Sequence, residues 1–113
     1  MYKRSKEMRC CDIAGMKGGP GTVRFSHWPG ELPEHVRVVS LVTLMDGDGI
    51  GYHVHEKETE IYYMIEGELV FNDNGNAVIA KSGDAMFTGS GEGHMVLNRS
   101  GKRASFLAVI VME

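Results

Sequence analysis

The sequence has few of the residues that cross-link or stiffen a chain. Its 113 residues include three prolines, one tryptophan and two cysteines. The cysteines, Cys10 and Cys11, are adjacent, so a disulfide between them would close a strained ring and constrain no long loop. Reduced thiols are typical of a protein in a reducing compartment, and the sequence therefore predicts a cytoplasmic location.

Long apolar runs and an excess of positive charge are also absent. No apolar run approaches the length of about 20 residues that a membrane-spanning helix needs. The basic N-terminus is followed by no hydrophobic segment, so we do not expect a signal peptide. The formal net charge is −3, and no segment resembles a basic helix that reads nucleic acid. We therefore expect neither a membrane nor a nucleic acid as a partner.

The sequence does contain a series of short segments rich in β-branched residues and separated by turn residues. Fifteen glycines fit many tight turns, and the Asn74-Gly75 step is a strong hairpin signal. The segments predicted to be strands are 22–27, 36–45, 50–55, 60–66, 69–71, 77–80, 85–88, 94–98 and 104–112. Short strands at near-regular spacing, with no convincing amphipathic helix, predict an all-β sandwich or barrel.

The length of the chain is that of one domain. Residues 1–21 end in a glycine-rich stretch and are predicted to form an irregular N-terminal arm. Residues 22–113 are predicted to form a single β-barrel domain.

Three histidines and one glutamate have a spacing that indicates a single metal site. Alternate side chains of a strand face the same side, so His53 and His55 point together. The polar segment 56–59 interrupts the strand and allows Glu60 to return to the same space, while His94 arrives from a distant strand. Neutral imidazole nitrogens with one carboxylate oxygen suit Mn, Fe, Co, Ni, Cu or Zn.

The segments around these residues resemble the two motifs of the cupin superfamily. Residues 47–67 read Gly-x5-His-x-His-x4-Glu-x6-Gly and match the first motif at every defining position. Residues 83–98 match the second motif, except that Gly89 stands where proline is usual, so we expect a more mobile turn there. The fifteen residues between the motifs match the short spacing of small microbial cupins.

This resemblance implies a double-stranded β-helix, or jelly-roll barrel, of the RmlC-like type with a ligand pocket inside. It implies one bound divalent transition metal ion (Mn, Fe, Ni, Cu, Co or Zn) with the ligands His53, His55, Glu60 and His94. It also implies a small-molecule ligand or substrate, because the superfamily includes oxygenases, isomerases, decarboxylases, lyases and non-catalytic binding domains.

Two residues are candidates for catalysis. Alternation along the strand places Tyr62 and Met64 beside Glu60. The phenol of Tyr62 could donate a hydrogen bond or act as an acid or base, and Glu60 could also transfer a proton. The alternative is that Tyr62 only packs the barrel. We expect Met64 and Phe87 to form apolar pocket wall.

Residues before the motifs could reach the mouth of the pocket and hold an anionic substrate, since arginine suits a carboxylate. A surface position is the alternative for each of them. These candidates are Arg24, His27, Trp28, His35 and Arg37.

The leading functional hypothesis is a metal-dependent enzyme that acts on a small oxygen-rich metabolite, such as a keto acid or hydroxy acid. The alternative is a non-catalytic module that binds or senses a metal or a small ligand. A third alternative is a sugar epimerase that uses no metal, but the complete ligand set counts against it. Because the runs 36–45 and 106–112 are apolar on both faces, the sequence also predicts a homodimer.

Overall fold

The regular structure of the chain consists of ten β-strands and two short 3₁₀ turns. The computed structural model describes all residues from 1 to 113. The strands are β1 (Arg9–Ala14), β2 (Thr22–His27), β3 (Val36–Leu44), β4 (Gly49–Val54), β5 (Glu58–Glu66), β6 (Glu68–Asp73), β7 (Asn76–Lys81), β8 (Ala85–Thr88), β9 (Gly93–Leu97) and β10 (Ala104–Met112). The 3₁₀ turns are Ser5–Glu7 and Met16–Gly18. No helix in the fold has the length and apolar character needed to cross a membrane.

The strands form two antiparallel sheets with the core between them. The six-stranded sheet has the order β1-β2-β3-β10-β5-β8, and the four-stranded sheet has the order β4-β9-β6-β7. The chain passes from one sheet to the other after β3, β4, β5, β7, β8 and β9. This arrangement confirms the predicted all-β jelly roll, in which strands distant in sequence become neighbours.

All nine predicted strands are present, with ends displaced by no more than two residues. The prediction of an irregular arm is wrong for residues 9–14, which form β1 and pair along their whole length with β2, from Arg9 opposite His27 to Ala14 opposite Thr22. The segment has little β-propensity of its own, and pairing with β2 stabilises it as a strand. The start of the domain at residue 22 stays a prediction.

Alternation along the strands decides which side chains enter the core. On β5, Tyr62 and Met64 are buried, whereas Tyr63 points outward and is 50% exposed, as the sequence predicts. On β8, Met86 and Thr88 point inward, so Phe87 points outward and is 64% exposed. The expectation that Phe87 lines the pocket is therefore wrong, because its neighbours of opposite parity take the inner face.

Asn98, the last residue of the second motif, has a structural role. Its side chain is fully buried, and its amide donates hydrogen bonds to the carbonyl oxygens of Leu44 (3.0 Å) and Lys102 (2.7 Å). Its Oδ1 atom accepts from the backbone and the hydroxyl of Ser100. These bonds give partners to polar groups of the turn between β9 and β10 and link this turn to the end of β3.

Two aliphatic side chains of the four-stranded sheet provide a test of the core. Leu69 on β6 is 1% exposed and Ile79 on β7 is 52% exposed. We expect Leu69→Ala to lower the free energy of unfolding by about 2–5 kcal/mol, because it leaves a cavity between the sheets. Ile79→Ala should lower it by less than about 1 kcal/mol. Urea unfolding of both variants measures the difference, and equal losses would contradict this assignment of the core.

Candidate metal centre

The two sheets bring the four predicted ligand residues together. His53 on β4 lies directly opposite His94 on β9, Glu60 extends from β5, and His55 follows the end of β4. The Nε2 atom of His94 is 3.0 Å from that of His55 and 3.1 Å from that of His53. Glu60 Oε1 is 3.0 Å from His94 Nε2 and 3.1 Å from His55 Nε2. All four ligand atoms lie within 4.8 Å of one another.

The break between β4 and β5 explains how Glu60 joins the histidines. Lys57 in this break has a left-handed backbone conformation (φ 60°), which reverses the chain direction between the two strands. Glu60 then points inward and is only 6% exposed. The polar segment thus resets the alternation as the sequence predicts.

Hydrogen bonds on the far side of two rings determine which nitrogen faces the centre. His53 Nδ1 lies 2.8 Å from the carbonyl oxygen of Gly51, and His55 Nδ1 lies 2.8 Å from Glu58 Oε1. A carbonyl and a carboxylate can only accept, so each Nδ1 carries the hydrogen and donates. In the neutral imidazole, Nε2 then presents a lone pair to the centre, which is the form that binds a metal.

His94 is held in the same way by a hydroxyl group. Its Nδ1 atom lies 2.8 Å from Thr88 Oγ1, on the strand that pairs with β5. If a metal ion binds His94 through Nε2, Nδ1 carries the hydrogen and donates to the threonine hydroxyl, which is the same tautomer as in the other two histidines. Both partners are buried, with 1% exposure each.

The donor set fits a divalent transition metal ion. When the imidazoles are neutral with the hydrogen on Nδ1, three nitrogen lone pairs and one carboxylate oxygen face one another, with four of their six separations at 3.0–3.1 Å and all of them within 4.8 Å. With metal–ligand bonds of about 2.1 Å, adjacent ligands of an octahedral ion are about 3.0 Å apart. A cation at the centre would relieve the repulsion among these atoms.

The electrostatic environment keeps Glu60 ionised. Burial alone would raise its pKa, but the imidazoles of His55 and His94, which donate to the carboxylate when they are protonated, outweigh the burial and lower the pKa to about 2. Burial also lowers the pKa of His53, which favours its neutral form. Glu60 is therefore a carboxylate with the charge that a ligand needs and without a proton to donate. Its predicted role in proton transfer stays a prediction.

Tyr62 packs in the core and also places its hydroxyl near the candidate ligands. Its ring is 3% exposed, stacks on the ring of His94 at 4.9 Å and packs against Phe106 at 4.2 Å. Its hydroxyl lies 3.4 Å from His94 Nε2. Burial raises the pKa of Tyr62 well above its usual range, so the phenol stays protonated and is suited to donate. A catalytic role for it stays a prediction.

Glu58, which orients His55, was not among the site residues predicted from the sequence. Besides accepting from His55, Glu58 receives two hydrogen bonds from Arg37, at 3.0 and 2.9 Å. These bonds lower the pKa of Glu58 and so keep it in the accepting form. Arg37 was a candidate for binding substrate, but two of its donors are used in holding Glu58. Glu58 lies two residues before Glu60 on β5, so alternation places both side chains on the same face of the strand. This pattern in the sequence could have identified Glu58 as a residue of the site.

A pocket of about 290 Å³ opens beside the four ligand residues. His53, His55, Glu60 and Tyr62 line one part of it, and the remaining wall is mostly apolar. Most of the apolar wall comes from the inner faces of β2, β3, β4 and β10, with the residues Phe25, Val38, Val42, Ile50, Ala108 and Ile110. Four of the lining residues, Ile13, Lys17, Arg37 and Val54, are exposed, so the pocket opens to solvent beside them, and we call this opening the mouth.

Two of the five predicted mouth residues line this pocket, namely Arg37 and His27, whose ring stacks on Phe25 at 5.3 Å. Arg24 instead forms a two-bond ion pair with Asp12 on the outside of the sheet. Trp28 lies in a separate groove on the outer face, and His35 is exposed beside Glu34. On β2, strand parity places Arg24 on the outer face and His27 on the inner face, whereas Trp28 and His35 lie outside the strands.

The turn that contains Gly89 supports His55. The Gly89 N–H donates to Glu92 Oε1 at 2.7 Å, a bond that proline could not make. The carbonyl of Glu92 in turn accepts from the backbone N–H of His55 at 3.0 Å. The expected mobility of this turn stays a prediction, and these bonds act against it.

Two facing antiparallel sheets, with three histidines and one glutamate converging between them, are the architecture of a cupin. The sequence profile of the cupin domain matches residues 40–110, and the chain belongs to this family. The oxalate-binding protein of Thermotoga maritima is 41% identical to this chain over 114 residues, which cover 99% of this chain and 94% of that protein.

Solved structures show the same relationship. The crystal structure of a predicted oxalate decarboxylase from Thermotoga maritima superposes with a TM-score of 0.94 and 40% identity over 100% of both chains. An RmlC-like cupin from Shewanella frigidimarina shares the fold, with a TM-score of 0.80 and 14% identity over 99% of this chain and 90% of that one.

The contact between Glu58 and His55 generates a prediction about metal affinity. If the four ligand atoms hold a metal ion, Glu58→Ala should weaken Co²⁺ binding by about 10–100-fold, because His55 loses the partner that fixes its ring and tautomer. Glu58→Gln keeps an accepting oxygen and should lose less. A competition titration against a chelating dye measures this, with the exposed neighbour Glu56→Ala as the control. Equal affinity in the Glu58 and Glu56 variants would contradict the proposed orientation of His55.

Proposed function

We propose that this cupin binds one divalent transition metal ion and, at that ion, a small carboxylate of the oxalate class. The ligands of the metal are His53, His55, Glu60 and His94. The single observation that carries the proposal is the set of three imidazole nitrogens and one carboxylate oxygen that converge within 4.8 Å of one another beside a pocket. The oxalate-binding relative, 41% identical over nearly the whole chain, supports this choice of ligand.

The size and lining of the pocket support a small anionic ligand. Pockets for small molecules commonly have volumes of about 300–1,000 Å³, and this one, at about 290 Å³, lies at the small end. Four protein ligands leave two positions of an octahedral ion for a chelating molecule. Two oxygens on adjacent carbons, as in oxalate or a keto acid, satisfy both positions at once.

The chain's own residues provide binding and orientation. A divalent ion bound there would act as a Lewis acid toward the carboxylate oxygens. Glu58 and Thr88 hold the rings of His55 and His94, and the apolar wall at Val42 and Ile50 excludes water. Tyr62 holds a proton at its hydroxyl, next to the ligand atoms. This proton favours, as a second candidate function, a decarboxylase or lyase that delivers it to the product.

Metal and oxalate binding can be measured on the purified, untagged protein. Elemental analysis should find about one equivalent of a transition metal per chain, because one set of four ligands is present. The double variant His53→Ala/His94→Ala should lose the metal but keep its strand content, whereas the exposed His35→Ala should keep the metal. Isothermal titration should show that the metal-loaded protein binds oxalate and that protein stripped of its metal by a chelator does not.

The outcomes separate the candidate functions. If the double variant retained stoichiometric metal, the assignment of the metal-binding residues would be contradicted. If the metal-loaded protein did not bind oxalate, the choice of oxalate as the small-molecule ligand would be contradicted. Release of formate and carbon dioxide from oxalate, lost in Tyr62→Phe, would identify an enzyme. Binding without product would identify a non-catalytic module.

A cytoplasmic location is proposed from the thiols. Cys10 and Cys11 are both exposed and free. An exposed thiol pair stays reduced in a reducing compartment, which is the condition of the cytoplasm.

The outer face of the six-stranded sheet supports a homodimer. Leu107 on β10 lies opposite Leu41 on one side and Tyr63 on the other, and Ile61 lies opposite Phe87. Residues paired across strands point to the same face, so these side chains form one apolar surface. Each is between 37% and 64% exposed. An apolar face of this extent is typical of an interface, and a second copy of the same face covers it by two-fold symmetry.

Substitution at the centre of this face should separate the copies. Ile61→Glu places a charge in the proposed interface and should convert a dimer to a monomer at micromolar concentration. Val78→Glu, at a position 49% exposed on the other sheet, should leave the dimer intact. Light scattering coupled to size-exclusion chromatography measures both masses. A monomeric wild-type protein would contradict the proposal.

A further inference from the structure

The glycine-rich segment between β1 and β2, residues 15–21, lies against β4 at the mouth of the pocket. The Gly49 N–H donates to the carbonyl of Pro20 at 2.9 Å. A Cβ atom on Gly51 would collide with the carbonyl of Lys17, and one on Gly19 would collide with the backbone of Gly49. The segment is therefore held against the strand that carries His53, through an approach that only glycine permits.

Lys17 has an unusual backbone conformation within this segment. Its φ and ψ angles are 54° and 28°, in the left-handed region. Residues other than glycine adopt this region at a cost, and such conformations concentrate at functional sites. Lys17 lines the pocket together with its neighbour Met16, on the side opposite the sheet that carries Glu60. Because Lys17 is both exposed and part of the lining, its position is at the mouth of the pocket.

The charges around the pocket leave Lys17 without a partner. The charged residues that line the pocket are two cations and two carboxylates, namely Lys17, Arg37, Glu58 and Glu60. Arg37 is paired with Glu58, and Glu60 belongs to the ligand cluster. Lys17 takes part in none of the ion pairs of the structure. The charges of the two cations and the two carboxylates cancel. A divalent metal ion would therefore add two positive charges that the residues of the pocket do not balance.

We propose that Lys17 recognises the outward-facing oxygens of a bound dicarboxylate and so makes the site selective for a dianion over a monoanion of the same size. This inference rests on the proposed function, because it takes the ligand to be held at the metal. A dianion balances the two positive charges that a divalent metal adds, and a monoanion balances only one.

The chemistry of chelation explains why the mouth is the place for this cation. Oxalate that chelated a metal through one oxygen of each carboxylate would direct its two remaining oxygens away from the metal, into the pocket that Lys17 lines. Glycolate chelates through a carboxylate and a hydroxyl, directs only one oxygen outward and carries one charge less. A lysine ammonium on a flexible stem can donate to both outward oxygens of oxalate. Lys17 therefore contributes more to oxalate binding than to glycolate binding.

Isothermal titration of the Co²⁺-loaded full chain with oxalate and with glycolate tests the inference. We expect Lys17→Gln to weaken oxalate binding about tenfold or more, the effect of losing one charge-assisted hydrogen bond. Glycolate binding should weaken less than about threefold. Lys17→Arg keeps the charge and should restore most of the oxalate affinity, and Lys102→Gln, at a turn outside the pocket, controls for the change in net charge. Cobalt content is measured in every variant.

Each outcome separates this inference from the proposed function. Wild-type protein that holds Co²⁺ but does not bind oxalate overturns the proposed function and this inference with it. Wild-type protein that binds oxalate, with no loss in Lys17→Gln, overturns the inference alone. Equal weakening of oxalate and glycolate also overturns it, because Lys17 would then attract any anion. A selective loss for oxalate that Lys17→Arg reverses supports it.

Discussion

The structure depends on the convergence of four accepting atoms between two sheets. Three imidazole nitrogens and one carboxylate oxygen converge within 4.8 Å of one another between the sheets, where unsatisfied polar groups are costly. Every other feature of the site supports this arrangement. Gly51, Glu58 and Thr88 accept or share hydrogen bonds on the far sides of the rings, and this satisfies the second nitrogen of each imidazole.

The jelly roll provides the rigidity that such a cluster needs. The paired positions of His53 and His94 come from the register of β4 and β9, while Glu60 comes from the opposite sheet. Packing of Tyr62 on His94 and against Phe106 ties the cluster to the core. Three of the four candidate ligands therefore lie on strands, His55 follows the end of β4, and the segment before β2 contributes one wall. Lys17, to which we attribute selectivity for a ligand, lies on this segment rather than on a strand.

Much of the fold and the site could be predicted because both follow from local periodicity. The alternation of residues 60–65 separates Tyr62 from Tyr63, and the spacing of two motifs identifies all four candidate ligands. The errors have one physical cause, which is that pairing between strands overrides local preference. Residues 9–14 become a strand because β2 offers them a ladder, and Phe87 turns outward because Met86 and Thr88 take the inner face.

The sequence by itself determined the all-β fold, the membership of the cupin family and the identity of the candidate ligands, since residue type and spacing carry these properties. Only the tertiary structure decided which nitrogen of each ring faces the centre, because this depends on partners distant in the chain. It also decided that Glu58 and Arg37 support His55, and that Lys17 lies at the mouth. These roles arise from contacts between strands and loops, and no local pattern in the sequence records which strands become neighbours.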